Sequence, residues 1–485
     1  MKRMRRFARP RRLAPGLRAE SGIALFGVIV LAVVMMILVL SVLMIGTLDA
    51  GLAKQRAAKS SAFYLAEGGL ACGLAWLEAQ GDPPDGGETI LPFGATPDTL
   101  GHGTYTVSII PDSTNSWLDK PRYTILSTGH VAGQARILEQ QVRSESITDF
   151  LYFTDREHEP GQGNPLWFHS GDLIDGPLFT NDQISIMGDP TFAYTVTSAY
   201  GGPGDPHPNH EPGFLYYNGD QHNNIESTAG SNPPHDNPDF QAEYDLSGRY
   251  VDYPSHQITN DIKQIAQGGG VSVAGHYEIS FSRPHDDTGE PMYGYVSYRR
   301  PGVGGKAAEW TDVEISSTNG LLYVNGSFEV HGVLDGTMTL ATNGSVWITD
   351  DLVYRDSDEN GPGTYCDDML GIIAGTDINV EDTAANLDDC EIHASMISLA
   401  NSFRASQWNT GDPRGDLTVY GSVAQGFRGS VGTSELVGDE EVILTGYAKD
   451  YHYDWRLFDQ GPPHFYEFFG TGNYVRVRWR ELDTG

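Results

Sequence analysis

Cysteine is scarce: Cys72, Cys366 and Cys390 are the only three in 485 residues, too few for a fold built on disulfides. Bases are also in short supply, with 31 Lys and Arg against 64 Asp and Glu and a net charge of −33. So acidic a chain repels phosphate backbones, which excludes nucleic acid as a partner class. It has neither a glycine-rich phosphate loop nor a nucleophile elbow, and the expectation is that it is not an enzyme. The 58 glycines and 27 prolines are too many for a helix-rich enzyme and imply many turns and short strands, hence a mainly β protein.

Charge is missing altogether from Ile23 to Ile45, where nearly every residue is Ile, Leu, Val, Met or Ala. Twenty-three helical residues span about 35 Å, enough for a bilayer core of about 30 Å. The basic leader, residues 1–22, holds eight Lys and Arg against Glu20 alone, so the chain beyond it carries about −40. Bases before the apolar run and none soon after it put the N-terminus in the cytoplasm and the body outside. The run is too long for a signal-peptide core, and no small-residue cleavage site follows it. The helical pattern instead continues through Leu52, Phe63, Leu70 and Leu77 until Gly81-Asp82-Pro83-Pro84 breaks it, giving one helix over residues 23–80.

Two stretches carry a family resemblance. Glu20-Ser21-Gly22-Ile23-Ala24-Leu25 resembles a type III signal cut between Gly22 and Ile23, and Ala62-Phe63-Tyr64-Leu65-Ala66-Glu67-Gly68-Gly69-Leu70 is similar to the signature of the PilX-type N-terminal domain of type IV pilus minor pilins. The resemblance covers residues 18–80. It implies processing by a prepilin peptidase, residence in the inner membrane, association with other pilin subunits, and a body on the cell surface or in a pilus. One position departs from the pattern: the fifth residue after the junction is Gly27, where pilins usually carry Glu. An unpaired charge in lipid is costly, so a subunit lacking that Glu offers its neighbour's amino terminus no partner. This is similar to minor pseudopilins placed at a filament tip; an uncleaved membrane anchor is the alternative.

Residues 88–148 alternate in short segments such as Tyr105–Ile110 and Arg122–Leu126, which predicts a small antiparallel sheet. Residues 150–465 hold a degenerate repeat of strand, corner and strand: Leu321–Val330, Thr339–Ile348 and Gly371–Val380, with looser copies at Leu178–Asn181 and Ser398–Asn401. The corner residues Asn325, Asn343, Gly375, Asn181 and Asn401 are of the two types that most readily take the left-handed conformation. Asn325 and Asn343 stand one bare coil of eighteen residues apart. Coils of that kind bury their faces only by stacking, so the expected body is a parallel β-helix, a β-solenoid with loop excursions and an insertion at about 200–315. A β-sandwich is the competitor, because Asn-Gly also makes hairpins. Residues 466–485 form a C-terminal strand or tail. The body resembles an uncharacterised bacterial family of PilX-like N-termini followed by solenoids, in Ser170-Gly171-Asp172, Gly188-Asp189-Pro190, Gly421–Gln425 and Gly446–Tyr451.

Four constellations invite chemistry. Asp356, Asp358 and Asn360 precede Gly361, and Asp367 stands at relative position 12; oxygen ligands alternating before a glycine turn are what Ca²⁺ requires. A solvated acidic loop is the plainer reading. Cys366 and Cys390, 24 residues apart, sit about one coil from each other, and stacked strands about 4.8 Å apart suit a disulfide. His207, His210, His222 and His235 cluster among Pro, Gly and Asn, but no helix face or cysteine pair accompanies them, so the reading is a long polar loop. Asp335, Asp377 and Arg404 are the residues placed to serve a polysaccharide-binding or polysaccharide-processing face, the functional alternative to a pilin-like role, with a surface glycan as partner.

Overall fold

The computed structural model describes residues 21–80, 87–112, 120, 122–161, 163–207, 209–210, 212–218, 221–225, 238–256, 258–285, 288–302, 308–358, 360–363, 365–437, 440–465 and 474–482. The basic leader, residues 1–20, lies outside them. Helix α1, Ser21–Glu78, is one element of 58 residues, begun at the end of the basic segment and stopped just before the Gly-Asp-Pro-Pro break. Its two halves differ. From Leu25 to Leu52 its large apolar side chains stand in the open, whereas Ala62, Leu65, Ala66, Leu70 and Leu77 are buried.

What buries them is a five-stranded antiparallel sheet in the order Asp98–Leu100, Gly103–Pro111, Arg122–Val131, Gln134–Ser144, Tyr474–Leu482. Val107, Ile109, Ile125, Leu138 and Val142 meet the helix from alternate positions of their strands. The expected small sheet is therefore present, and the C-terminal strand closes one edge. Glycines set the approach distance: a Cβ on Gly129 would lie 2.1 Å from the Ala62 carbonyl oxygen, and one on Gly69 would lie 2.1 Å from Ser127 Oγ. Gly69 of the pilin-like motif is thus a contact residue between helix and sheet, whereas a Cβ on Gly68 would meet nothing within 4 Å.

The larger body is mainly β and its strands pair chiefly in parallel. Five of them, Leu321–Leu334, Thr337–Thr342, Met369–Ala374, Cys390–Ser398 and Val346–Tyr354, close a parallel ring. Closure is possible because the first and fourth are long enough to bend at a corner and pair on two faces. Parallel ladders run out from this ring. One carries the apolar column Leu322, Leu340, Ile372, Met396, Val423, Tyr152, Leu178, Val196. A second carries Phe328, Val346, Ile378, Phe403. A third carries Leu352, Ile392, Val419, Tyr451, Ile174, Phe192. All of these side chains are buried in one continuous core, which is why strands of two to six apolar residues hold together without hairpins.

The order along the first ladder is not the order of the chain. Tyr152–Arg156 sits between Pro413–Phe427 and Leu178–Thr180, so the chain enters mid-stack and builds towards Tyr244–Asp245. It then crosses to the far end and returns from Val271–Ser280. The crossing, residues 246–270 with helix α2 (Ile258–Gln267), lies on the outer side of this ladder. It covers the column Phe179, Phe153, Ile397, Ile373, Ala341, Tyr323. Asn181 anchors it with two hydrogen bonds to the Val251 backbone at 2.7 and 3.0 Å, Tyr253 Oη donates to the Ser398 carbonyl at 2.9 Å, and His256 reaches the Asn343 carbonyl at 3.0 Å.

The eighteen-residue spacing matches the register, since Leu321 pairs with Thr339 and Val324 with Thr342. The corner conformation does not match. Neither Asn325 nor Asn343 has positive φ. Asn343 instead accepts the Gly326 amide at 2.8 Å and donates to Asn325 Oδ1 at 3.0 Å, so side-chain hydrogen bonding between neighbouring segments selects asparagine there. Asn401 is also out of phase, because Leu399 follows the residue paired with Ala374.

Buried ion pairs secure the two joints. Between sheet and body, the Asp149 carboxylate receives Arg143 at 2.7 Å and also Lys120, both cations fully buried. Where the two runs of the chain meet, Arg428 Nη1 lies 3.1 Å from Glu157, with its guanidinium 3.7 Å from the Phe168 ring centre.

Candidate functional site

The candidate membrane-spanning element is the open half of α1. It is the one helix among the described residues long and apolar enough to cross a bilayer, and none of its most apolar stretch is buried. Gly22 and Ile23, the expected processing junction, fall in its first turn. A Cβ at Gly27 would meet nothing within 4 Å, so the missing carboxylate is not a response to crowding within this chain.

The expected Ca²⁺ loop is an excursion from the third ladder. Its tip is a tight turn: the Asp358 amide donates to the Gly361 carbonyl at 3.2 Å, the Gly361 amide donates back at 2.9 Å, and the Asp358 carboxylate accepts the Asn360 amide at 2.8 Å. Gly361, at φ +88, rests on the Tyr420 ring, and a Cβ there would come within 2.3 Å of it. Asp356, Asp358 and Asp367 are exposed and do not form a close carboxylate group. The working carboxylate is Asp368, which accepts the Gly336 amide at 2.6 Å and the Asp356 amide at 3.0 Å, closing the base of the loop. Burial raises its pKa.

Cys366 and Cys390 are buried free thiols, and the expected disulfide is not formed. Cys390 lies in the ladder opposite Leu417. Cys366 stays outside it, three residues before its strand begins, where Arg456 grips its carbonyl at 2.6 Å. Cys366 belongs to the excursion and not to a coil, so the two never come into register. Burial pushes the Cys390 thiol up to about 12.

Of the clustered histidines, His207 and His210 come together around a residue the sequence reading left out, Asp205. His207 Nδ1 is 3.1 Å from Asp205 Oδ1, and His210 Nδ1 is 2.9 Å from Oδ2. The rings stack with centres 4.5 Å apart, and Tyr200 stacks on His210 at 3.9 Å. The Asp205 side chain is 4% exposed. Burial raises its pKa, but the Gly201 and His207 amides and the two rings outweigh that and hold it below the usual range. Both histidines line an open cavity of about 260 Å³ with Asp155, Arg156, His158, Asp182 and Tyr250. His235 lies outside the described residues.

Asp335, Asp377 and Arg404 do not assemble a carboxylate pair. Asp335 binds Arg355 at 2.5 Å, while Asp377 binds Arg404 and accepts from Asn401 at 2.9 Å. A wider cleft of about 670 Å³ lies beside the excursion, lined by Tyr420, His452, Trp455, Arg456, Asp175 and Asp459 among others.

Residues 122–200 match the model of a domain of unknown function, DUF4900, a span running from the small sheet across the Asp149 joint into the first ladder. No curated protein matches the chain. Among solved structures, the competence-associated pilin ComZ from Thermus thermophilus is similar over 88% of this chain and 97% of its own, with 13% identity and a TM-score of 0.32. At that score the likeness does not reach a shared fold.

Proposed function

We propose that this chain is a minor-pilin-like membrane protein that carries a large outward body, and that its stacked ladders form one continuous parallel β-helix. The observation that carries the reading is the division of α1: an apolar half that nothing among the described residues covers, followed by a half seated by glycine contacts on an antiparallel sheet. About 28 residues of bare apolar helix need lipid or the helices of other subunits. With no carboxylate at Gly27, the subunit caps or decorates a filament and does not build its shaft. N-terminal sequencing of the membrane-extracted protein tests this: Ile23 as first residue supports a processed pilin-like subunit, and a retained Met1 or Lys2 makes it a plain anchor.

Ca²⁺ binding by the loop of residues 356–367 belongs to the same proposal, and it requires Asp358 to release the Asn360 amide. The full chain then melts higher in Ca²⁺ than in chelator, and Asp356→Ala with Asp358→Ala removes the difference. A polysaccharide-binding role has one observation in its favour: the cleft beside the excursion joins Tyr420 and Trp455 with carboxylates and Arg456, the aromatic and polar mixture that sugar rings require. Glycan-array binding by the wild type that is lost in Tyr420→Ala tests it.

A further inference from the structure

The geometry points to a binding site for a divalent transition metal at Asp205, His207 and His210, which no comparison assigns and which the pilin-like reading does not need. We infer that a Zn²⁺-class ion is held there by the Asp205 carboxylate and one nitrogen of each imidazole, with a further position open to the cavity. Two imidazoles and a carboxylate are the donor set such ions take when three ligands come from protein.

The separations are close to those of a loaded site. Ligand atoms on adjacent corners of a tetrahedral ion with bonds of 2.0–2.1 Å stand roughly 3.3 Å apart. His207 Nδ1 stands 3.1 Å from Asp205 Oδ1 and His210 Nδ1 2.9 Å from Oδ2, each within a few tenths of an ångström of that spacing. One ligand atom from each of the three residues falls within 4.8 Å of the others, and no other His, Cys, Asp or Glu group among the described residues meets that condition.

The site is also held in place. Asp205 is fixed by the Gly201 amide at 2.7 Å and the His207 amide at 2.8 Å, outer contacts of the kind that orient a ligating carboxylate. Its own amide donates to the Gly202 carbonyl at 3.2 Å, and the Tyr250 amide ties the loop to the crossing segment through the Pro203 carbonyl at 2.9 Å. Tyr200 flanks His210 from the body. Little reorganisation stands between this loop and a bound ion, which distinguishes it from the acidic excursion.

In the metal-free arrangement each imidazole donates a proton to Asp205. On binding, a neutral ring moves its proton to Nε2 and no net proton is released. Asp155, Asp182, Arg156 and His158 face the same cavity; the two carboxylates favour a cation, and Arg156 opposes it.

The test uses the full chain in detergent, purified without a histidine tag, stripped with chelator and titrated with Zn²⁺ alone against a chromophoric competitor. The expected result is one equivalent bound at pH 7.5, and at least tenfold weaker binding in His207→Ala and in His210→Ala. The stoichiometry is measured on the native protein, so it stands even if a variant misfolds. Absence of a stoichiometric site in the wild type overturns the inference. So does a doubly substituted H207A/H210A chain that binds as the wild type does, since the ion then sits elsewhere. Neither outcome bears on cleavage at Gly22.

Discussion

Replacing Arg428 by Met is expected to be among the most damaging single changes in the body, because it strands a buried carboxylate. Arg428 and Glu157 are 3% and 2% exposed. Besides Glu157, the guanidinium serves the carbonyls of Leu166 and Trp167, each at 3.2 Å. Methionine fills much of the volume over Phe168 but supplies no donor, so the loss is that of a broken buried pair, about 3–5 kcal/mol. Burial already pushes the Glu157 pKa above its ordinary 4.5, and Arg428 is the strongest influence restraining it. In R428M the restraint is gone and the pKa rises further. The sign follows from which form is penalised. Ionised Glu157 destabilises the folded state at every pH above its folded pKa, and the penalty fades as pH falls towards the unfolded value. The deficit of R428M relative to wild type is therefore larger at pH 8 than at pH 5. Urea unfolding of the full chain in detergent, followed by tryptophan fluorescence, gives both numbers. The double variant R428M/E157Q should recover roughly 1–3 kcal/mol relative to additivity. A deficit below about 1 kcal/mol, or one unchanged between the two pH values, refutes the argument.

Other outcomes follow from the same contacts. Gly129→Val puts a side chain where the Ala62 carbonyl stands and should free the outer half of α1 from the sheet, seen as faster hydrogen exchange over residues 62–77; unchanged protection there refutes the packing. Asn343→Ala loses two inter-coil hydrogen bonds and should cost about 1–2 kcal/mol. Asn343→Gly should be no better, because φ is not positive there; rescue by glycine would restore the left-handed corner. Asp368→Ala should loosen the excursion, so that limited proteolysis cuts near Tyr365, which is 99% exposed; resistance equal to wild type counts against its role at the loop base.

The helix was legible because nothing competes with an uncharged run of that length, and Gly81–Pro84 marks its end without needing tertiary contacts. The small sheet was legible from alternation, and the eighteen-residue step survives in the pairing of Leu321 with Thr339. Corner conformation was not, because asparagine is selected both by left-handed turns and by side-chain ladders, and composition does not separate the two. The Cys366–Cys390 reading failed on phase: a count of residues between cysteines does not say how many of them leave the coil. Asp205 was missed because histidines were weighed by helix-face and cysteine spacing. The available signal was Asp-Pro-His-Pro-Asn-His, a carboxylate followed within five residues by two imidazoles.

The threading of the body was the least accessible feature, and it explains where the chain places its buried charges. A stack built in chain order meets only its neighbours, so its joints are short-range. Here Tyr152–Arg156 docks on Pro413–Phe427, and Glu440–Tyr453 docks on Leu173–Asp175, contacts separated by more than 250 residues. The middle of the ladders is complete only when both runs are present. Arg428 with Glu157, Lys449 with Asp172 at 3.2 Å, and Gln425 with the Tyr152 hydroxyl at 2.7 Å all lie at this seam. Apolar columns alone would let the two runs slip by a residue or a coil, since Val, Leu and Ile substitute for one another at little cost. Buried polar pairs admit one register only, because any slip leaves them unpaired. The seam is therefore where specificity is required, and the buried guanidinium of Arg428 stands there.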